Sequence, residues 1–127
     1  MVTGHDIRTG TEPEVIFYNA LRRQGLKDGP DFTFQGRELG GRAEKGGLVL
    51  DFVFTNPPRL NVNINGVYWH YRFGSETIQR DIIAREVLAA QGDTLIFVDE
   101  DDLSVDPDFY TKEALAFRDH SKIARGW

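Results

Sequence analysis

The most constraining feature of the sequence is a strand, a helix and a second strand in direct succession. LNVNING alternates polar and apolar residues, which is typical of a strand with Leu60, Val62 and Ile64 on one face. SETIQRDIIAREVLAAQG is the strongest helix signal and ends at Gly92, and its expected buried side comprises Ile78, Ile82, Ile83, Val87 and Leu88. DTLIFVDEDDL predicts a strand that runs into an acidic turn. Because a helix between two strands of one sheet normally crosses over right-handed, these two strands should be parallel.

The remaining segments complete an α/β pattern. TEPEVIFYNALRRQGL predicts a first helix, in which Thr11 caps, Pro13 fits the first turn and Glu14 completes a capping box. A short strand around residues 32–35, a second strand in LVLDFVF and the strand LNVNING should form a meander. DPDFYTKEALAFRD predicts a last short helix. The expected order is therefore α-β-β-β-α-β-α, a mixed sheet with helices packed on it.

Composition sets the class of protein. The 127 residues, of which 40% are hydrophobic, suit one domain at 11–118, with an arm at 1–10 and a tail at 119–127. The absence of cysteine excludes disulfides, thiolate metal sites and a cysteine nucleophile. The sequence has no apolar run of membrane length, and its first residues lack a secretion signal. We therefore expect a cytoplasmic protein that does not engage a membrane.

Asp51 is the first candidate for chemistry. It interrupts an otherwise apolar strand between LVL and FVF. A carboxylate in such a place is costly unless it is paired or bound to a cation. The alternative is that Asp51 points outward on the other face of the strand and is simply solvated.

Other candidates have structural explanations when each is taken alone. Trp69 and His70 lie in VYWHY, directly after a predicted strand, and could be a core wall and a structural imidazole. Asp81 could pair with Arg85 one helical turn later. For Glu14, the capping box is a sufficient structural role.

Together these residues carry a resemblance. Three segments resemble elements of very-short-patch-repair endonucleases. TEPE with Glu14 resembles their opening helix, LDFVF with Asp51 resembles their metal-binding strand, and NGVYWHY with His70 resembles their glycine-aromatic-Trp-His signature. They also resemble homing endonucleases with an E-D-x-H-D motif. Both groups belong to the restriction-endonuclease-like superfamily. Arg80 with Asp81, then GDTLIFVDEDDL, resemble the following elements, so the similarity covers about residues 11–103.

Several positions depart from those families. Asn65 stands where the repair enzymes have a His, although this position is free in the homing type. The strand that commonly carries Glu-x-Lys in the superfamily reads Asn61, Val62, Asn63 here. Without cysteine, the structural zinc site of the repair enzymes cannot form. No insertion that would read a mismatch is evident.

The resemblance implies a site for Mg²⁺ or Mn²⁺ and a role for each residue. Asp51 would be the main ligand, the backbone carbonyl of Ile64 a second, and Glu14 would act through water. His70 would move the proton, because its pKa lies near working pH. Asp81 would orient that imidazole.

DNA would be contacted by basic residues near the site. The candidates are Arg42 and Lys45 in the glycine-rich loop, Arg72 after the signature, and Arg80 on the helix. The alternative for each one is a solvated surface position. The formal net charge of -5 predicts weak DNA binding by this chain alone, because phosphate neutralisation supplies most non-specific affinity. A partner or a fused domain would then supply affinity.

Two functions follow from these observations. The first is a metal-dependent DNA endonuclease, of homing type or phage-encoded, that nicks or cleaves; cutting both strands would take a dimer or two visits. The second is a catalytically inactive subunit with a structural or DNA-handling role in a larger assembly. The acidic charge and Asn65 favour the second function. The set of Glu14, Asp51, His70 and Asp81 favours the first, since a scaffold needs none of them.

Overall fold

A computed structural model describes residues 11–34, 44–45, 48–66 and 75–124. The helices are α1 (Glu12–Arg23), α2 (Ser75–Ala90), α3 (Glu100–Val105) and α4 (Pro107–Leu115). The strands are β1 (Phe32–Phe34), β2 (Glu44–Lys45), β3 (Leu48–Val49), β4 (Phe52–Phe54), β5 (Leu60–Asn65) and β6 (Thr94–Asp99). Within this described part, no helix has the length and apolar character needed to cross a membrane.

Four strands of the described part form one mixed sheet, in the order β1-β4-β5-β6. The first three strands pair antiparallel as a meander, and β6 pairs parallel with β5 after the crossover by α2. The predicted mixed α/β class and the parallel last pair are therefore confirmed. A separate antiparallel pair, β2–β3, joins part of the glycine-rich loop to the start of the predicted strand LVLDFVF.

The predicted strand LVLDFVF is wrong as one continuous element. The chain forms β3, bends at Asp51 and continues as β4, which pairs with different neighbours. The run of apolar residues concealed this bend, since apolar residues suit a buried strand and a buried bend equally well. The bend matters because it places Asp51 at the end of β4, beyond the last backbone pair Phe52↔Val62.

Helices cover both faces of the sheet. One apolar core packs α1, α3 and α4 against β1, β4, β5 and β6. Edge-on phenyl contacts hold it, with the rings of Phe17 and Phe52 4.9 Å apart. A second, smaller core packs α2 against the opposite face, through Leu88, Leu95 and Phe97. The sheet is thus the middle of three layers.

The buried side of α2 is narrower than predicted. Leu88 is fully buried, and Ile78 and Ile82 pack against the smaller core, as expected. Ile83 and Val87, however, remain 59% and 37% exposed. The reason is that α2 lies across the sheet near β6 without another helix beside it among the described residues, so only one stripe is covered.

The segment after β6 differs from the prediction in two ways. The expected acidic turn is a short helix, α3, whose Leu103 is buried in the larger core. Residues 119–124, assigned to a tail, pack along β6. There the Phe97 amide donates to Asp119 (2.9 Å), the Lys122 amide donates to Asp99 (2.9 Å), and Ile123 is buried.

Gly92 provides a test of the turn that leads from α2 into β6. Its φ is +83°, and a Cβ there would lie 3.1 Å from the Arg59 guanidinium. Gly92→Ala should therefore lower the free energy of unfolding by about 1–2 kcal/mol, measured by urea denaturation. Gly66→Ala is the matched control, because the nearest contact of its Cβ among the described residues would be an ordinary 3.7 Å. An equal loss in both variants would contradict this account.

Candidate metal centre

Asp51 lies where β4 and β5 separate. Beyond the pair Phe52↔Val62, side chains replace the backbone ladder: the Asp51 amide donates to Asn63 Oδ1 (2.8 Å), and the Ile64 amide donates to Asp51 Oδ2 (2.8 Å). The carboxylate is thereby fixed at the gap between the two strands. The alternative of an outward, solvated Asp51 is wrong, because its carboxylate is half-buried and accepts from the backbone amide of the neighbouring strand.

Two further carboxylates act on Asp51. Burial, followed by the negative charges of Glu14 and Asp81, raises the pKa of Asp51 to about 7. The hydrogen bond from the Ile64 amide stabilises the ionised form and offsets only part of this increase. Glu14 therefore lies near enough for its charge to act on the Asp51 carboxyl group.

Glu14 forms the predicted capping box and also acts electrostatically on Asp51. It lies in the first turn of α1, where its Oε1 accepts from the Thr11 amide at 2.8 Å, as the capping box predicts. The same side chain reaches Asp51 from the α1 face of the sheet. The helix cap therefore also positions an acid at the gap.

Asp81 approaches from the other layer. It lies in the first half of α2, is half-buried, and its charge contributes to the raised pKa of Asp51. The charges of Glu14 on α1 and Asp81 on α2 therefore both act on Asp51 at the β4 bend.

The backbone carbonyl of Ile64 faces the same gap. In an extended strand, the N–H and C=O of one residue point to the same side. Because the Ile64 amide points at Asp51, its carbonyl is directed toward the region between β4 and β5. This orientation suits the ligand role that the resemblance implies.

The other predicted site residues divide into two groups. Asn65 is buried at the end of β5, opposite Asp99 in the parallel register, and Arg80 is exposed on α2. Lys45 lies in β2, but its side chain is outside the described residues. The remaining predicted positions also lie outside the described residues: Arg42, Trp69, His70 and Arg72.

A second acidic group lies at the end of β6. The carboxylates of Asp99, Asp101 and Asp102 come within 4.8 Å of one another, a tighter set than Glu14, Asp51 and Asp81 form. Lys122 offsets part of its negative charge, with Nζ 2.9 Å from Asp101 and 3.6 Å from Asp99. Hydrogen bonding and charge from Lys122 lower the pKa of Asp101 despite its partial burial. This group is an ion-pair cluster that joins residues 119–124 to β6.

Sequence reasoning missed Asn63. The sequence marks Asn63 only as a position where β5 offers neither the acid nor the lysine of the superfamily. In the structure, the Asn63 side chain accepts from the Asp51 amide and fixes the backbone there. The available signal was the spacing of Asn61, Asn63 and Asn65, since polar residues at period two share one face of a strand.

The donor set fits a hard divalent cation. Carboxylate and carbonyl oxygens are the ligands of Mg²⁺ and Mn²⁺, whereas nitrogen and sulfur would favour zinc. Mg²⁺ retains several waters and is commonly held by one or two carboxylates, so a set looser than a full cage suffices. Comparison with known proteins adds no assignment: no family model, no curated protein and no solved structure matches the chain.

Proposed function

We propose that this chain is a metal-dependent DNA endonuclease with a restriction-endonuclease-like fold. The observation that carries the proposal is the convergence of Glu14, Asp51 and Asp81, from three separate elements, on the gap beside the Ile64 carbonyl. Buried like charges destabilise a fold, and a bound divalent cation would turn that repulsion into attraction. The chain order of α1, β1, β4, β5, α2 and β6 also agrees with the order expected from the resemblance.

In this mechanism, Asp51 and the Ile64 carbonyl would hold the cation, and Glu14 would act on it through water. Bound there, Mg²⁺ would supply positive charge to the phosphate and acidify the attacking water. His70, which follows β5 by a few residues, moves the proton. Asp81 orients the imidazole and stabilises its charged form, as a carboxylate behind a catalytic histidine does.

The phosphate backbone of DNA is contacted by basic residues, which are Arg80, exposed beside Asp81, and Arg42, Lys45 and Arg72.

The test is a nicking assay on supercoiled, mismatched and branched DNA. We expect nicks with Mg²⁺ or Mn²⁺ and none with EDTA. Asp51→Asn, purified in the same way, identifies activity from a contaminating nuclease. Equal nicking by wild type and this variant would overturn the proposal.

Asp81→Asn is expected to leave a weaker enzyme. A partner that orients a catalytic or ligating group typically contributes about 10–100-fold, so nicking should fall by that factor without being abolished. Initial rates on supercoiled plasmid measure this loss. Asp101→Asn is the matched control, because Asp101 belongs to the Lys122 cluster and is about half exposed. A larger loss in Asp101→Asn than in Asp81→Asn would place the chemistry at the end of β6.

An inactive subunit with a DNA-handling or structural role is the second candidate. The formal net charge of -5 favours it, because an acidic chain binds DNA weakly without a partner or fused domain. The two functions differ in a measurable way. An inactive relative with an intact site would bind Mn²⁺ and gain thermal stability, yet nick none of the DNA substrates.

A further inference from the structure

We infer that Asn63 is a positioning residue that holds Asp51 in the geometry needed for metal binding. This inference rests on the proposed function and adds to it a residue that neither the motif nor the acidic cluster identifies. Asn63 Oδ1 accepts from the Asp51 amide at 2.8 Å, while Asp51 Oδ2 accepts from the Ile64 amide at 2.8 Å. The two bonds form a reciprocal clamp between β4 and β5, in which each side chain binds the backbone of the opposite strand.

The clamp lies at the point where the backbone ladder ends. The last paired residues are Phe52 and Val62, and the next pair in the same register would be Asp51 with Asn63. The side-chain oxygen of Asn63 accepts the hydrogen bond from the Asp51 N–H. Straightening the bend at Asp51 into ordinary strand pairing would therefore break this hydrogen bond. The Asp51 carboxylate in turn satisfies the Ile64 amide. Both candidate ligands, the carboxylate and the Ile64 carbonyl, are therefore fixed relative to each other.

The chemistry of the side chain also suits this position. Asn63 supplies a neutral acceptor beside Asp51, whose environment already contains the charges of Glu14 and Asp81. A carboxylate at position 63 could accept the same bond but would add another negative charge. An alanine would remove the acceptor and leave the Asp51 amide without it. The clamp thus predicts different results for these two substitutions.

Asn61 offers a matched control on the same face of the same strand. Its side chain donates to the Thr94 carbonyl at 3.2 Å and so braces β5 against β6 instead of β4. It is fully buried, so its replacement by alanine should also lower stability. A general loss of sheet stability would affect both variants, whereas loss of the clamp is specific to Asn63.

The experiment measures Mn²⁺ binding to the full chain by calorimetry, with the metal alone as the probe. Asn63→Ala should weaken Mn²⁺ binding by about tenfold or more, as loss of an outer-shell partner does. Asn61→Ala should leave the affinity unchanged, although its denaturation midpoint falls. Equal effects of the two alanine variants, or wild-type affinity in Asn63→Ala, would overturn the inference.

Two further variants keep the outcomes distinct. Asn63→Asp retains the acceptor and should bind Mn²⁺ at least as well as wild type, so it decides the matter if Asn63→Ala does not fold. Loss of binding in Asn63→Asp would overturn the inference. Asp51→Asn separates the two levels: if it binds Mn²⁺ like wild type, the proposed metal site itself is wrong.

Hydrogen exchange in the metal-free protein provides a readout that does not involve metal. The clamp predicts faster exchange of the Asp51 amide in Asn63→Ala and unchanged exchange in Asn61→Ala. Because the Asp51 carboxylate would then be less restrained, the Ile64 amide should also exchange faster. Unaltered protection of the Asp51 amide in Asn63→Ala would contradict the clamp.

Discussion

Asp51→Asn is expected to lose Mg²⁺-dependent nicking by at least about 10³-fold, because it removes the main charged ligand of the proposed metal site, and a catalytic metal contributes several kcal/mol. The same substitution should make the metal-free protein more stable at pH 8. Amide and carboxyl groups have nearly the same shape, and an amide oxygen can still accept from the Ile64 amide. The variant would therefore be inactive and better folded.

The increase in stability follows from the pKa of Asp51. Burial and the neighbouring acids raise it to about 7, from 3.8 in the unfolded chain. Between these values the folded state binds more protons than the unfolded state, so stability falls as the pH rises from about 4 to about 7. Above pH 7 the folded state bears the full cost of ionising the Asp51 carboxyl group, which is on the order of a few kcal/mol. Asparagine does not ionise, and its variant lacks this decline.

Thermal melts of both proteins from pH 4 to pH 8, without metal, measure the difference. The wild-type melting temperature should fall relative to that of the variant across this window. Mn²⁺ at pH 8 should then stabilise the wild type but not Asp51→Asn, and so raise the melting temperature of the wild type. At a hundredfold excess over the dissociation constant, the stabilisation should be about 2.7 kcal/mol. Asp101→Asn should keep the wild-type response. A variant less stable than the wild type at pH 8 would refute the role assigned to burial and charge repulsion.

Phe52→Ala should have the largest effect on stability, a loss of about 3–5 kcal/mol. Its ring is fully buried and lies 4.9 Å from that of Phe17 on α1 and 5.0 Å from that of Phe34 on β1. Truncation would leave a cavity between the helix that carries Glu14 and the strand that follows Asp51. Urea denaturation measures the loss.

Phe109→Ala is the control for the loss of an aromatic ring. Phe109 is 46% exposed and contacts the rings of Tyr110 and His120 at the surface. Its truncation should cost about 1 kcal/mol or less, since exposed aromatic pairs contribute little beyond that. Comparable losses in the two variants would mean that the larger core is not where most of the stability resides.

Local patterns in the sequence were sufficient for the framework of the fold. The helix between two strands predicted the parallel pair β5–β6, and the capping box predicted the start of α1. Both features depend on neighbours in the sequence, which is why they could be read directly. At the bend, the Asp51 amide is instead bound by Asn63, a residue on another strand, and no local pattern encodes that contact.

The site was only partly predictable for the same reason. Asp51 was evident because an acid is unusual in an apolar strand. Glu14 and Asp81 each had a sufficient local explanation, so only their meeting in three dimensions distinguishes the two interpretations. For Glu14 the cap and a site role are compatible, because a carboxylate has two oxygens and only Oε1 accepts from the Thr11 amide.

The three-layer arrangement has a consequence for when the protein could act. Glu14 belongs to the layer packed by the larger core and Asp81 to the layer packed by the smaller one. A folding intermediate with only one layer docked would lack one of these acids, and so would a nascent chain on the ribosome before α2 has docked. Under the proposed function, the site would thus be complete only in molecules in which both layers have docked on the sheet.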